Sequence, residues 1–317
     1  MLFGGAVRNV LVRYFIDHGE DPTRTVLVVG MGRSGTTWLA ELLNYRNTHR
    51  LVFEPFYHRK VALAVNFTDH QYLRPDNDDP RFVRPALAIL SGQVRCNWTD
   101  QYNRRLIGNR RIVKDVRVNL ILRWLHDRFP GMPTVAIVRH PFAVAASRLS
   151  HGHDVDIHRE FLAQPLLVED YLFAYRDELL ACRTPFERIV ATWCIEVGLP
   201  LSQFSQDELC LVYYEHLCTM PAETMERAFR HIGVPFTNGA LRALTKPSPM
   251  TYVPTQLEES WRKGPDHLVN AWRGEITDAQ IVRGLEILRA FGMDGVYGAG
   301  PMPLEAGYPK TVRFGAR

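Results

Sequence analysis

The sequence lacks the cysteine patterns of a disulfide-bonded or zinc-binding protein. Its 317 residues include five cysteines, an odd number, and none lies in a C-x-x-C pair. Because disulfide frameworks and structural zinc sites draw on paired cysteines, the sequence argues against both. Reduced thiols are expected instead, which predicts a cytoplasmic protein.

Long hydrophobic runs are also missing. No stretch approaches the roughly 18 apolar residues of a membrane-spanning helix. The amino-terminal segment is mildly apolar but is interrupted by Arg8, Arg13 and Asp17, so a signal peptide is not expected. A short helix over residues 5–16 is expected to pack against the body of the protein.

The sequence has no large surplus of charge. It contains 38 basic and 34 acidic residues, a net charge of +4, which does not favour nucleic acid as a partner. Hydrophobic residues make up 46% and charged residues 23%, so the chain can build a sizeable core. These values fit an enzyme with one local anion site, and they indicate no oligomeric state.

The sequence does contain an alternation of apolar strands and helices. The run 25–30 is apolar, mostly β-branched and ends in glycine, which is typical of a strand buried on both faces of a parallel sheet. Similar strands are predicted at 111–115, 134–139 and 209–214. Helices are predicted at 36–45, 117–129, 142–149, 160–180, 187–203 and 277–291.

This order of elements predicts an α/β fold in which a P-loop-type parallel sheet is flanked by helices on both faces. We expect a single domain over residues 1–317, with a core at 25–298 and terminal extensions at 1–24 and 299–317. Two segments are predicted to be irregular loops that cover or bind a ligand. They are 66–85, which is rich in polar residues, and 245–266, which is rich in Pro and Gly.

A glycine-rich turn follows the first strand. From Gly30 to Thr37 it has the phosphate-binding spacing G-x-x-x-x-G-x-[ST]. Glycines let several backbone N–H groups point at one anion, and the following helix adds the positive end of its dipole. The sequence therefore predicts that Ser34, Gly35, Thr36 and Thr37 bind a phosphate-like group.

One position of this loop departs from the nucleotidase pattern. Thr36 stands where a Walker A loop has the lysine that reaches the β- and γ-phosphates of a magnesium-bound triphosphate. This argues against an ATPase or an ordinary kinase, and no metal is expected. Arg33 instead offers a cation earlier in the loop, placed to bridge a leaving phosphate and the group in transfer.

A second anion-binding motif follows the strand at 134–139. Arg139 leaves the carboxyl end of that strand, where ligands bind in open α/β sheets. Ser147 lies two turns into the next helix. The two side chains are therefore expected to face the same anion.

Together these motifs resemble those of sulfotransferases that use 3′-phosphoadenosine 5′-phosphosulfate (PAPS). The loop around Arg33 resembles their 5′-phosphosulfate loop, and Arg139 with Ser147 resembles their 3′-phosphate motif. The resemblance runs from about residue 25 to about residue 298, and these two motifs are its specific part. It implies the sulfotransferase fold and PAPS as the co-substrate.

Looser matches extend the resemblance. Tyr214 matches a tyrosine at a strand end that lies near the adenine in the family. Arg262 and Lys263 match a basic loop over the 3′-phosphate. The segments 271–274 and 291–297 resemble the carboxyl-terminal part of the carbohydrate and tyrosylprotein enzymes.

Two residues are candidates for the chemistry itself. Glu54 lies among apolar residues, where burial is expected to raise its pKa and suit it to general-base work, and related enzymes have a proposed base glutamate there. His49 and His58 are minor candidates for the base. Lys114 resembles the lysine that faces the sulfate in the tyrosylprotein enzymes. Val116 replaces the base histidine of the cytosolic small-molecule enzymes, which disfavours a phenol or steroid acceptor.

The sequence thus predicts a sulfotransferase that moves the sulfuryl group from PAPS to an acceptor hydroxyl by in-line displacement. Glu54 would be the base, and Arg33 and Lys114 the catalytic cations. The Tyr, Arg, Asn and Trp98 content of 55–105 favours a carbohydrate or glycoconjugate acceptor. Two alternatives stay open: an atypical P-loop kinase, and a non-catalytic module that binds PAPS or adenosine 3′,5′-bisphosphate.

Overall fold

The computed structural model describes residues 16–104, 106–244, 262–309, 312 and 314–315. The strands are β1 (Ile16–Asp17), β2 (Thr25–Val29), β3 (Arg50–Phe53), β4 (Ile107–Gly108), β5 (Arg111–Lys114), β6 (Thr134–Val138) and β7 (Leu209–Tyr213). Five of them form a parallel sheet in the order β3-β5-β2-β6-β7, and β1 pairs in parallel with β4. The predicted amino-terminal helix and most of the predicted loop 245–266 lie outside the described residues.

Helices connect the strands and cover the sheet. They are α1 (Thr36–Leu43), α2 (Pro80–Leu90), α3 (Leu122–Arg128), α4 (Pro141–Leu149), α5 (Pro165–Leu167), α6 (Arg176–Ala181), α7 (Pro185–Gln203), α8 (Tyr214–Thr219), α9 (Pro221–His231), α10 (Asn238–Leu244), α11 (Pro265–Asn270) and α12 (Asp278–Ala290). Within the part of the chain that the structure describes, none of them is long and apolar enough to cross a membrane.

Alternate residues of β2 enter two separate apolar cores. Leu27 and Val29 pack in the core that also contains residues of α4 and α7, whereas Val26 and Val28 pack in the core that contains residues of α1 and α9. Successive side chains of a strand point to opposite faces, so a strand that is apolar throughout is covered on both. The predicted α/β architecture with helices on both faces is confirmed.

The edge strand β3 was not expected from the sequence because it begins with a charged residue. Arg50 is fully buried, and its Nε and Nη2 donate to the carboxylate of Asp100 at 2.8 and 2.9 Å. This two-point ion pair compensates the desolvation of the guanidinium group. The charged residue that begins this strand is therefore completely buried.

Two predicted segments differ from what forms. The helix predicted over 160–180 is a series of short turns, with π-helical turns at His158–Leu162 and Val168–Leu172, and Pro165 begins a new turn between them. Conversely, α2 begins at Pro80, inside the segment predicted to be irregular. Asp79 accepts a hydrogen bond from the Arg81 N–H and so caps that helix.

The irregular segment before α2 is held down by ion pairs. The His70 ring lies between two carboxylates, with Nε2 2.8 Å from Glu160 and Nδ1 2.6 Å from Glu196. The Arg74 guanidinium donates to Asp170 through two nitrogens, at 2.8 and 2.6 Å. We call residues 69–74 the anchored segment.

Strand register brings the candidate residues to one edge of the sheet. Lys114, at the end of β5, lies opposite Val28 of β2 and Phe53 of β3. Since all the strands are parallel, their carboxyl ends share this edge. The glycine-rich loop after β2, Glu54 after β3, Lys114 and Arg139 after β6 therefore lie along the same side of the sheet.

Candidate active site

The glycine-rich loop makes a tight turn between β2 and α1. Gly30 and Gly35 have φ angles of 148° and 94°, which disfavour any residue with a side chain. A Cβ atom at Gly30 would collide with the Ile137 carbonyl oxygen. One on Gly35 would lie 2.9 Å from the Tyr214 ring. Glycine at these two positions therefore lets the loop pack against Ile137 and Tyr214 just before the first turn of α1.

The two predicted anion motifs meet at this loop. Arg33 Nε donates a hydrogen bond to Ser147 Oγ at 3.0 Å, and Arg139 Nη1 donates to the carbonyl oxygen of Arg33 at 3.2 Å. Ser34 Oγ and Arg139 Nε are buried and have no hydrogen-bond partner among the described residues. Such groups are costly to leave unsatisfied, so they indicate a site for a polar ligand.

Arg139 is held in place by its surroundings. Its guanidinium lies over the Tyr214 ring, 4.3 Å from the centroid, and its carbonyl oxygen accepts a hydrogen bond from Trp193 Nε1 at 2.9 Å. The next residue is fixed by Glu215, whose carboxylate accepts from the His140 N–H at 2.9 Å and from the Tyr297 hydroxyl at 2.7 Å. Glu215 was not singled out from the sequence, and it stabilises the turn that carries Arg139.

The loop mouth carries an excess of positive charge. Desolvation and the charges of Arg139 and Arg148 lower the pKa of the Arg33 guanidinium. Like charges held together in this way repel each other, and a bound anion relieves the repulsion. Arg148 was not predicted to belong to the site. The only sequence signal for it is its place directly after Ser147.

Glu54 occupies a strained backbone position at the end of β3. Its φ of 43° is in the left-handed region, which is unusual for a residue other than glycine. The Glu54 N–H donates to the Lys114 carbonyl oxygen at 2.7 Å, and Trp98 Nε1 donates to the Glu54 carbonyl oxygen at 3.2 Å. Arg33 also has a positive φ, 80°. Strain of this kind occurs often at functional sites.

The Glu54 carboxylate is shared between two cations. Lys114 Nζ lies 2.6 Å from Oε1, and Arg117 Nη1 lies 2.7 Å from Oε2. Both contacts are largely shielded from solvent, since the Glu54 side chain is 11% exposed. The structure therefore brings Glu54 and Lys114 into direct contact and adds Arg117, which was not predicted and lies three residues after Lys114.

The expected direction of the Glu54 pKa was wrong. Burial by itself would raise the pKa of this carboxyl, but the charges and hydrogen bonds of Lys114 and Arg117 outweigh it and lower the pKa below the ordinary value. Burial lowers the pKa of Lys114, which Glu54 partly opposes. The sequence showed the apolar neighbours of Glu54 but not the cations that fold against it.

Asp115 and Asp69 position this ion-pair group. The Asp115 carboxylate accepts hydrogen bonds from the backbone N–H groups of Phe56 and Arg117, at 2.9 and 2.8 Å, and burial raises its pKa to about 6. Asp69, in the anchored segment, accepts from Arg117 Nε at 2.9 Å. Arg117 is therefore oriented from both sides before it reaches Glu54.

Aromatic rings lie beside Glu54. Trp98 packs edge-on against Phe53 at a centroid distance of 5.3 Å, and Tyr57 lies 5.5 Å from Trp98 and 3.8 Å from the Arg117 guanidinium carbon. Trp98 also borders an open cavity of about 630 Å³. It is lined by Lys60, Arg95, Cys96, Asn97, Trp98 and Gln101.

The remaining predicted residues differ in position. His49 precedes β3 and so lies at the opposite edge of the sheet from Glu54, which removes it as a candidate base. His58 follows Tyr57 and is partly buried. Arg262 and Lys263 are exposed just before α11, a helix that packs against α8, whose first residue is Tyr214. Their contact with a 3′-phosphate stays a prediction.

Among the described residues, no group of three or more His, Cys, Asp or Glu side chains is arranged to hold a metal ion. All five cysteines are free thiols, as the sequence predicted.

Fold and site together define an α/β protein with an anion-binding strand–loop–helix. The model of the Sulfotransferase family matches residues 25–238, more than half of the chain, so the protein belongs to that family. It is a PAPS-dependent sulfotransferase, an enzyme that transfers a sulfuryl group. Membership of this family decides against the two alternatives considered from the sequence, an atypical P-loop kinase and a non-catalytic nucleotide-binding module.

Solved sulfotransferases are only distantly similar to this chain. The sulfotransferase domain from the curacin biosynthetic pathway is 16% identical, with 83% of this chain and 95% of that chain covered and a TM-score of 0.46. The domain from the Synechococcus PCC 7002 olefin synthase is also 16% identical, with 87% of this chain and 96% of that chain covered and a TM-score of 0.45. Mouse sulfotransferase SULT7A1 complexed with PAP is 14% identical, with 88% of each chain covered and a TM-score of 0.42. No curated protein matches the sequence.

Proposed function

We propose that this enzyme transfers the sulfuryl group of PAPS to a hydroxyl of a carbohydrate or glycoconjugate, with Glu54 as the general base. The observation that carries the proposal is the ion-pair group at the sheet edge. The Glu54 carboxylate contacts Lys114 Nζ at 2.6 Å, and Lys114 lies opposite Val28, two residues before the anion-binding loop. A base and a cation are thus held together next to the donor loop.

The transfer proceeds as one in-line displacement. The acceptor hydroxyl gives its proton to Glu54 while its oxygen forms a bond to sulfur. The bond between sulfur and the bridging oxygen breaks, and that oxygen stays with the 5′-phosphate of adenosine 3′,5′-bisphosphate. Arg33 and Lys114 stabilise the negative charge that develops on the transferring group and on the bridging oxygen.

Lys114 links the two halves of this step. With Lys114 and Arg117 both in contact, the Glu54 carboxylate is ionised at neutral pH, as a base must be. When Lys114 Nζ turns to the bridging oxygen, Glu54 loses one of its two cations. Its affinity for a proton then rises at the moment when the acceptor releases one.

The donor is held by the two motifs that meet at the loop. The backbone of Ser34, Gly35, Thr36 and Thr37 binds the 5′ end, and Arg139 with Ser147 binds the 3′-phosphate. Tyr214, which supports Arg139 through a ring contact of 4.3 Å, lies near the adenine. Arg262 and Lys263 close over the 3′-phosphate.

The side chains near Glu54 support the proposed acceptor class. Trp98 offers a ring face, and Asn97 and Gln101 offer amide groups, around the cavity of about 630 Å³, and the Tyr57 ring lies 5.5 Å from that of Trp98. Ring faces combined with a few polar groups suit the stacking and hydrogen bonding of a sugar. This supports a carbohydrate acceptor over a purely apolar one.

The test is transfer of labelled sulfate from PAPS to pooled acceptors, with a glycan pool and an apolar alcohol pool assayed separately. Glu54→Gln should lower kcat on the order of 100-fold or more while leaving the Kd for adenosine 3′,5′-bisphosphate nearly unchanged. Glu226→Gln, on an exposed helix face, is the matched control. Full activity of Glu54→Gln would refute the base assignment, and labelling of the apolar pool alone would refute the acceptor class.

A further inference from the structure

Arg148 lies against the glycine-rich loop, and its charge has no partner among the described residues. A Cβ built on Gly32 would be 3.7 Å from Arg148 Nη1, an ordinary van der Waals distance, so the guanidinium rests on the loop backbone where Gly32 has no side chain. Its Nε is buried and has no hydrogen-bond partner in the part of the chain that the structure describes. Within the described residues the Arg148 side chain makes no ion pair.

The nearby side chains do not neutralise Arg148. The acid nearest to Arg148 along the sequence, Asp154, is paired with Arg188 at 2.6 Å. Desolvation, followed by the charges of Arg148, His151 and Arg33, lowers the pKa of His153, so the neighbouring imidazole is also surrounded by cations. A partly buried guanidinium among like charges is stable only if something else supplies the negative charge.

The direction of the side chain separates it from the 3′-phosphate motif. Ser147 and Arg148 are consecutive residues of α4, so their side chains leave the helix about 100° apart. Ser147 meets Arg33, on the side where Arg139 also reaches the loop. Arg148 instead meets the loop at Gly32, before its helical end.

We propose that Arg148 binds the 5′-phosphosulfate of the donor, as a second cation beside Arg33. This inference rests on the proposed donor site. The phosphate and the sulfate of that group are both ionised at neutral pH, and the guanidinium groups of Arg33 and Arg148, both beside the glycine-rich loop, match them. Arg139, Arg262 and Lys263 then serve the 3′-phosphate at the other end of the nucleotide.

Calorimetry with three nucleotides tests this assignment. The ligands are adenosine 3′,5′-bisphosphate, adenosine 5′-phosphosulfate and adenosine 3′-monophosphate, with the weaker ones measured by displacement of the bisphosphate. Arg148→Gln should weaken the first two by roughly 10- to 100-fold, the loss of one charge-assisted hydrogen bond, and leave the third unchanged. Arg289→Gln, which also removes an arginine from the last turn of a helix, should change none of them.

Each other outcome is decisive. Wild-type affinity of Arg148→Gln for adenosine 5′-phosphosulfate overturns the proposal. If the bisphosphate and adenosine 3′-monophosphate both bind more weakly while adenosine 5′-phosphosulfate does not, Arg148 belongs to the 3′-phosphate instead. A lowered melting temperature with equal weakening of all three ligands would show a structural role only. Because these readouts are binding constants, they hold or fail independently of whether any acceptor pool is sulfated.

Discussion

Replacing Arg117 by Gln tests whether Glu54 is the group whose ionisation controls activity. Arg117 Nη1 lies 2.7 Å from the Glu54 carboxylate, and this contact helps to hold the Glu54 pKa low. A hydrogen bond to a charged group contributes about 1.5–3 kcal/mol. At 1.36 kcal/mol per pKa unit, its loss should raise the Glu54 pKa by about 1–2 units.

The assay is the pH dependence of kcat/KM for sulfate transfer. Glu54 must be ionised to accept a proton, so activity falls on the acid side as pH drops through its pKa. A raised pKa therefore moves the acid limb of the Arg117→Gln profile to higher pH by about 1–2 units. Arg117→Lys, which keeps a cation near the carboxylate, should move it less.

The matched control is Arg123→Gln. Arg123 is also an arginine that contacts two carboxylates, Asp127 and Glu208, at 2.7 and 2.8 Å, but it lies on α3 rather than beside Glu54. An acid limb that stays in place in Arg117→Gln, or moves equally in Arg123→Gln, would show that Glu54 is not the titrating base.

Two further predictions concern the loop and the anchored segment. Gly35→Ala should lower the free energy of unfolding by about 1–3 kcal/mol and weaken binding of adenosine 3′,5′-bisphosphate, because position 35 combines a positive φ with a 2.9 Å approach to Tyr214. Gly233→Ala is the control: its φ is 68°, but open space surrounds the position, so nucleotide binding should not change. Equal urea midpoints and affinities for both variants would contradict this. Burial alone would lower the His70 pKa, but Glu196 and Glu160 raise it to about 9. The charged His70 therefore contributes fully to the free energy of unfolding below pH about 6.5, and this contribution is lost as pH rises through about 9. The melting temperature of wild type should fall over that window, and that of His70→Gln should not follow it; parallel curves would refute the charge on His70.

Much of the fold could be predicted because its strands are apolar on both faces. The runs that became β2, β6 and β7 are continuous in the sequence, and the loop after β2 has a spacing with few structural meanings. β3 could not be predicted this way, since Arg50 looks like a surface residue until Asp100 folds against it. Local pattern carries no information about a partner 50 positions away.

The sequence predicted several residues that meet at the candidate site, but not the electrostatics of that site. Arg33 contacts both Ser147 and Arg139, so the two predicted anion motifs lie side by side. The pKa of Glu54 was expected to move the wrong way because the sequence shows only its apolar neighbours. Arg117 and Arg148 belong to no recognisable sequence motif. Arg117 reaches the site because it follows β5, and Arg148 because it lies on α4.

The anchored segment also has a consequence for how this enzyme tolerates substitution. Asp69 holds Arg117, and the adjacent His70 is fixed between Glu160 and Glu196. A library of random variants selected for sulfated product should therefore be depleted at these positions, although none belongs to the donor loop. Redesign of residues 158–172 should therefore also disturb the contact of Arg117 with Glu54, unless the carboxylate at position 160 is kept.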